Sequence, residues 1–406
     1  MKILFLCNKS PWPAREGGPI AMNMIIEGLL RAGHHVKVLA INSNKYKVDI
    51  SSIPDEYRKK TGIELVYVNL SIQPFAAFCN LFSSRSYHVE RFISRDLENA
   101  LIRILQNENF DIVQLEFLYM SPYVQVVRKY SDARIVLRTH NIEHLIWQRV
   151  AESTKNPLKR LYLKNLVRKL KNYECSSIRQ FDGIAAITDQ DAAFFSSKNC
   201  LQPEDGSRIP VITIPFGIDP GQFPLTNEEP EFPSLFSIGA MDWIPNLEGI
   251  CWFLEKVWPE VHSKYPHLHY YLAGRHMPRW LMKKKYPNVE VIGEVDNAVA
   301  FMRSKAILIV PIFSGSGIRV KIIEGMATGR AIISTTVGAE GIGYTRGRDI
   351  FIADTPAEFI HCISNCVENK VLCETVGRNA RDLILTEYNR ELIISKLTGF
   401  YQKIRK

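Results

Sequence analysis

The chain has 406 residues, 46% hydrophobic and 23% charged, which suits two cores of about 200 residues each and excludes a disordered or fibrous protein. Net charge is +9 and uneven: residues 1–205 hold 28 Lys+Arg against 21 Asp+Glu, leaving 23 against 21 for the remainder. The basic excess of the first half points to an anionic partner there, while no apolar run approaches the roughly 20 residues that cross a bilayer.

The N-terminus, MKILFLCNKS, reads as a first strand over Lys2–Cys7 and lacks the longer apolar core and cleavage site of a signal peptide. A helix over Pro19–Ala32 follows, apolar at 22, 25, 26, 29 and 30 and closed by Gly33. Further strands are expected at Val36–Ile41, Ile63–Leu70, Asp111–Glu116, Arg134–Thr139, Gly183–Thr188 and Val211–Pro215, most with helical patterns between them. The passage Pro215–Pro233, rich in proline and glycine, reads as a linker.

Alternation restarts at Leu235–Met241, with a helix over Asn246–Tyr265 and strands at His269–Ala273, Val289–Val295, Ile307–Phe313, Ala331–Thr335 and Asp349–Ile352. Repeated strand–helix–strand implies parallel sheets covered on both faces, hence two doubly wound α/β domains. We expect domains at 1–220 and 221–386, with 387–406 returning as a helix to the first. Ligands of such sheets sit beyond the carboxyl ends of the strands, and the cleft between the domains is the expected site. The eight cysteines form no CxxC pair and read as free thiols of a reducing cytoplasm, not as metal ligands.

Chemistry concentrates at Gly315 to Gly329, GSGIRVKIIEGMATG. A buried strand passes through small residues into a helix expected over Ile318–Thr328, whose free N–H groups suit a phosphate. Arg319 and Lys321 in the first turn oppose the helix dipole, a cost that a bound diphosphate offsets. Glu324, one turn on, can accept hydrogen bonds from ribose hydroxyls. In the first half, Gly17-Gly18 opens a helix after the first strand. Arg138-Thr-His-Asn-Ile-Glu-His144 stands at a strand end, with Glu116 ending the strand before it. Lys155–Lys171 carries seven basic and no acidic residues, with apolar positions 158, 161, 162, 166 and 170 on one helical face. It reads either as a helix resting on anionic lipid or as an ordinary surface helix.

The Gly315–Gly329 run resembles the donor-site signature of GT-B glycosyltransferases of family 4, the group 1 glycosyltransferases. The matching residues are Glu324-Gly-Met-Ala327 followed by Gly329-Arg-Ala-Ile-Ile-Ser334. Arg31-Ala-Gly-His-His-Val36, Pro215-Phe-Gly-Ile-Asp219, Ser237 to Asn246 and Gly338-Ala-Glu-Gly341 resemble further family segments in the same order. Two features depart from it: Ser316 stands eight residues before Glu324 where a first glutamate is usual, and Asp242 and Asn246 occupy the region of the usual arginine and lysine. That pattern is similar to a sub-group with GxRxKxxE.

The resemblance implies a GT-B fold and a retaining, metal-independent glycosyltransferase that needs no cofactor. No Asp-x-Asp metal signature is read at a strand end. Its donor-binding set would be Gly17, Gly18, Gly239, Asp242, Asn246, Gly274, Arg275, Gly293, Ser316, Gly317, Arg319, Lys321, Glu324 and Glu340. His140 would contact the transferred sugar, supported by Glu143 and Glu116, while Arg319 and Lys321 neutralise the leaving diphosphate. The expected partners are a nucleoside-diphosphate sugar, a glycan or lipid-linked acceptor, and an anionic membrane through 155–171, in the cytoplasm at the inner membrane face and without nucleic acid. Alternatives are a nucleotide-sugar 2-epimerase and a non-catalytic sugar-nucleotide-binding partner. A dinucleotide dehydrogenase is disfavoured because no Gly-x-Gly-x-x-Gly follows the first strand.

Overall fold

The computed structural model describes residues 1–14, 17–197, 209–224, 228–315 and 317–405. Its contacts divide the chain into two compact units, Met1–Phe216 with Arg390–Lys406, and Gly217–Asn389.

The first unit is built on a parallel sheet of β1 (Lys2–Cys7), β2 (His35–Ser43), β3 (Glu64–Val68), β4 (Ile112–Glu116), β5 (Arg134–Thr139), β6 (Gly183–Ala186) and β7 (Val211–Thr213). The order is β3-β2-β1-β4-β5-β6-β7. The central strands β1 and β4 are buried along their whole length apart from Lys2, as expected of parallel strands covered by helices on both faces. Helix Gly17–Arg31 ends as expected at Gly33, whose φ of 78° suits a residue without Cβ. The C-terminal helix Arg390–Arg405 packs against it so closely that a Cβ on Gly28 would lie 2.4 Å from Ile394.

The second unit holds β8 (Glu231–Ile238), β9 (His269–Ala273), β10 (Val289–Gly293), β11 (Lys305–Val310), β12 (Ala331–Ser334) and β13 (Phe351–Ile352), parallel in the order β10-β9-β8-β11-β12-β13. Strand β8 starts inside the stretch read as linker, because Glu231 pairs in register with Lys305 of β11 and accepts from the Tyr271 hydroxyl at 2.8 Å. The helix expected over Asn246–Tyr265 is two helices, Ile244–Lys256 and Trp258–Lys264. The break precedes Pro259, which cannot donate to a continuing helix and fits only a first turn.

Both sheets reverse their winding once, between β1 and β4 in the first unit and between β8 and β11 in the second. Such switch points are where open α/β sheets bind ligands. Gly17-Gly18 follows β1, Glu116 ends β4 and the Gly315–Gly329 run follows β11, all on strands that flank these switch points. Among the described residues no helix is long and apolar enough to cross a membrane. The described cysteines are free; Cys200 lies outside the described residues.

Candidate functional site

At the switch point of the first unit, Cys7, Glu116 and Arg138 share one row across β1, β4 and β5. Residues in register on parallel strands project to the same face, so the thiol, carboxylate and guanidinium crowd together. Cys7, Glu116 and Arg138 have no solvent exposure. Arg138 Nη1 lies 3.5 Å from Glu116 Oε2. His140, just beyond β5, places Nε2 2.6 Å from the same carboxylate oxygen. Gln114, two residues back on β4 and therefore on the same face, donates to Glu116 Oε1 at 2.6 Å.

Burial works to raise the Glu116 pKa, but Arg138, His140 and Gln114 together hold it below the usual carboxylate value. Burial lowers the pKa of His140; the Glu116 bond opposes this, Arg138 and Lys9 reinforce it, and the net direction is down. The resting pair is thus an ionised carboxylate beside a neutral imidazole. Phe117 stacks on the imidazole with ring centroids 3.9 Å apart and planes 3° from parallel. It does so at a φ of 73°, a strained value for a residue with Cβ. Gly18 lies against Lys9 and Phe117, while Gly17 is exposed.

Glu143 begins helix Glu143–Ser153 but turns inward, accepting from the Tyr119 hydroxyl at 2.7 Å. Burial, with the Glu174 charge adding to it and the Tyr119 bond opposing, pushes its pKa up to about 8. Glu174 caps that helix from outside, accepting from the backbone N–H of Glu143 and His144 and pairing with His144 Nδ1 at 2.6 Å. Tyr119 and Glu174 escaped the sequence reading. A signal existed: Glu174 is the first acid after the long basic run that begins at Lys155.

In the second unit Gly239, Gly274 and Gly293 end neighbouring strands and stack backbone on backbone. Gly239 N donates to Ala273 O at 3.2 Å and Gly274 N to Gly293 O at 2.6 Å. A Cβ on Gly274 would sit 1.7 Å from Gly239 O. On Gly239 it would sit 2.8 Å from Asn246 Nδ2 and 3.0 Å from Lys321 Nζ, so the lysine ammonium reaches bare backbone. Lys321 Nζ donates to Asn246 Oδ1 at 2.7 Å, and Asn246 Nδ2 donates to Ala240 O at 2.8 Å. The asparagine amide is thereby fixed in one orientation. Burial, and then the Arg319 charge, lower Lys321 to about 7.

The donor-motif helix runs Val320–Ala327, shorter than expected, and Arg319 is its N-cap instead of a first-turn residue. The Arg319 guanidinium donates to Gly317 O and lies over Trp243, 5.3 Å from the ring centroid. Trp243 was part of a matched segment but had no assigned role. Glu324 is half-buried, its carboxylate makes no hydrogen bond among the described residues, and burial pushes its pKa up to about 7. Asp242 is exposed, 4.0 Å from His276 Nε2; Arg275 is partly buried and accepts at its carbonyl from Met241 N. Glu340 is partly buried in the turn after β12. Ser316 lies outside the described residues.

One expectation needs correcting. An Asp-x-Asp pair does follow β6, at Asp189 and Asp191. Both lie in the first turn of helix Asp189–Phe195, capped by Thr188, where carboxylates complement the helix dipole. The pair reads as a helix start. On the basic helix, observed over Pro157–Ser177, the expected single apolar face splits: Leu166 and Leu170 are buried, whereas Leu158 and Leu161 are 79% and 68% exposed. Lys169 is also buried, donating to the carbonyls of Asn80 and Leu81.

Residues 232–369 match the family described as Glycosyl transferases group 1. The whole chain is 25% identical over 408 residues to an uncharacterized 44.6 kDa protein in the cps region of Klebsiella pneumoniae, covering 98% of each. By shape it is similar to sucrose-phosphate synthase from Thermosynechococcus elongatus, with TM-score 0.69 and 15% identity over 100% of this chain and 99% of that one. It is also similar to Anabaena Alr3699/HepE in complex with UDP, with TM-score 0.65 and 12% identity over 99% and 100%. The two Rossmann-like parallel sheets are those of the GT-B fold, and the second of them carries the match to the group 1 glycosyl transferases.

Proposed function

We propose that the protein moves a sugar, with retention of configuration, from a nucleoside-diphosphate sugar to a glycan or lipid-linked acceptor in polysaccharide assembly. The observation that carries this is the convergence of Lys321 Nζ, the Asn246 amide and the bare backbone of Gly239 at the switch point of the second unit. A cation lowered to about 7 by burial is a cation short of a counter-ion. The donor diphosphate fills that role, and Glu324, whose carboxylate has no hydrogen-bond partner among the described residues, takes the ribose hydroxyls.

In the reaction the bond between the anomeric carbon and the diphosphate oxygen breaks, and its electron pair stays on the diphosphate. Lys321, Arg319 and the N–H groups of helix Val320–Ala327 stabilise that growing charge, the largest demand of the step. Two cations and a helix terminus supply the charge without calling on a metal. The acceptor oxygen enters on the leaving-group face, and its proton passes to the departing phosphate oxygen. His140, neutral on its Glu116 support, accepts a hydrogen bond from the sugar.

A polysaccharide role is supported by the cps-region relative, and nucleotide-sugar use by the UDP complex of a similar structure. The exposed Leu158 and Leu161 among Lys155, Lys159, Arg160 and Lys164 suit contact with the anionic inner leaflet, where a lipid-linked acceptor would reside. Thermal-shift titration with UDP-, GDP- and ADP-sugars, followed by transfer assays on Lys321→Ala and Arg319→Ala, tests the proposal. Stabilisation by one donor class, lost in Lys321→Ala, is expected. Donor-independent melting, or full transfer by both variants, would sink it.

A further inference from the structure

The C-terminal helix reaches the Glu116–His140 pair through an unbroken hydrogen-bond chain. Tyr401, without solvent exposure, donates its hydroxyl to Gln114 Oε1. That contact fixes the amide, because its carbonyl oxygen is taken by the tyrosine and its NH2 faces the carboxylate. Gln114 Nε2 then donates to Glu116 Oε1, and Glu116 Oε2 faces His140 Nε2. An ionised carboxylate can only accept, so the hydrogen must sit on Nε2. In a neutral ring this leaves Nδ1 with a free lone pair. Arg138, beside the same carboxylate at 3.5 Å, supplies the countercharge that keeps Glu116 ionised without a proton from the imidazole.

We propose that Gln114 and Tyr401 are positioning residues for His140, which hold Glu116 as a one-directional acceptor so that the imidazole presents Nδ1 as a hydrogen-bond acceptor. The inference rests on the reading that His140 works on the transferred sugar. The parts come from three places in the sequence, β4, the end of β5, and the C-terminal helix, whose Tyr401 lies 287 residues beyond Gln114, and they meet with Gln114, Glu116 and Tyr401 wholly shielded from water. Phe117 covers one face of the ring and so confines its rotation. The charged groups around the imidazole are Lys9 after β1, Glu116 on β4 and Arg138 on β5, with the Cys7 thiol of β1 beside Glu116.

Losing the tyrosine hydroxyl frees the Gln114 amide, weakens its donation to Glu116 and makes that carboxylate more basic. His140 then protonates at higher pH. The test is Tyr401→Phe, with Gln114→Leu as the stronger variant, read by nitrogen-15 NMR of labelled histidine and by steady-state kinetics. Wild type should show the Nε2–H neutral tautomer from pH 6 to 8. Tyr401→Phe should show mixed tautomers, an acid limb of kcat moved to higher pH, and kcat lowered roughly five- to tenfold with donor KM unchanged, the scale of one lost hydrogen bond. A folded Tyr401→Phe and Gln114→Leu with the wild-type His140 spectrum would overturn the proposal. A shifted spectrum with unchanged kcat would uphold the positioning chain and overturn instead the role of His140 at the sugar.

Discussion

Lys321 and Asn246, 75 residues apart in sequence, are joined by a 2.7 Å hydrogen bond that points the lysine ammonium at the backbone of Gly239. The lysine is held near 7 because burial and then Arg319 disfavour its charge, and its side-chain partner among the described residues is a neutral amide. A diphosphate would reverse that balance, so donor binding should take up a proton. At pH 7.5 roughly three quarters of the lysine is neutral by the Henderson relation. Affinity should therefore rise as pH falls from 9 toward 7, then level off once the lysine is charged in the free protein. Calorimetry of nucleotide-sugar binding in buffers of different ionisation enthalpy reads this directly. Lys321→Arg, which stays charged throughout, should abolish the uptake; no uptake by wild type would refute the assignment.

The same lysine should weaken the fold it serves. Its folded pKa lies below its unfolded one, so the unfolded chain binds more protons, and stability falls as pH drops from about 10 toward 7. Below about 7 both states are charged and the loss is complete. Lys321→Met should raise Tm near neutral pH while removing donor binding, a trade expected of a site built for a ligand. A lower Tm for Lys321→Met would contradict the pKa argument.

Glu143 carries the opposite type of group with the same consequence. Its folded pKa of about 8 exceeds that of an unfolded glutamate, so the folded state holds the extra proton and stability declines as pH rises from about 4.5 to 8. Glutamine keeps the acceptor for the Tyr119 hydroxyl and removes the titration. Glu143→Gln should melt at or above wild type at pH 7.5, with the gap widening up to pH 8 and vanishing near pH 4.5. Parallel melting curves across that range would show that Glu143 ionises normally.

The strands were legible from the apolar stretch at the centre of each: β1, β5 and β9 coincide with the residues read from sequence. β8 was misplaced at its start because Pro233 and the acids before it imitate a linker, whereas in-register pairing of Glu231 with Lys305 extends the ladder. The site was legible where chemistry is local. Arg319, Lys321 and Glu324 share one helix start, and topology supplied Asn246 and Gly239 to it. What stayed hidden are partnerships made only by folding. Nothing near Tyr401 announces Gln114, and nothing near Glu174 announces the first turn of helix Glu143–Ser153. The apolar pattern of residues 155–171 was read correctly as helical but not for burial, since periodicity alone cannot say how far along its length a helix is covered.

That last distinction separates two kinds of substitution on one helix. Lys169 is buried and donates to the carbonyls of Asn80 and Leu81, so Lys169→Met leaves those acceptors unpaired and should lower Tm without a lipid-specific effect. Leu158 and Leu161 project into solvent, so their replacement by Ser leaves the core untouched and should keep stability within about 0.5 kcal/mol of wild type. If the surface rests on anionic lipid, Leu158→Ser with Leu161→Ser should reduce flotation with phosphatidylserine vesicles, because membrane affinity scales with buried apolar area. Lys159→Glu with Lys164→Glu should abolish it, each lysine near the surface contributing about 1 kcal/mol. Neutral phosphatidylcholine vesicles should bind neither wild type nor variants. Equal flotation of all forms would leave residues 155–171 as an ordinary basic surface of the fold.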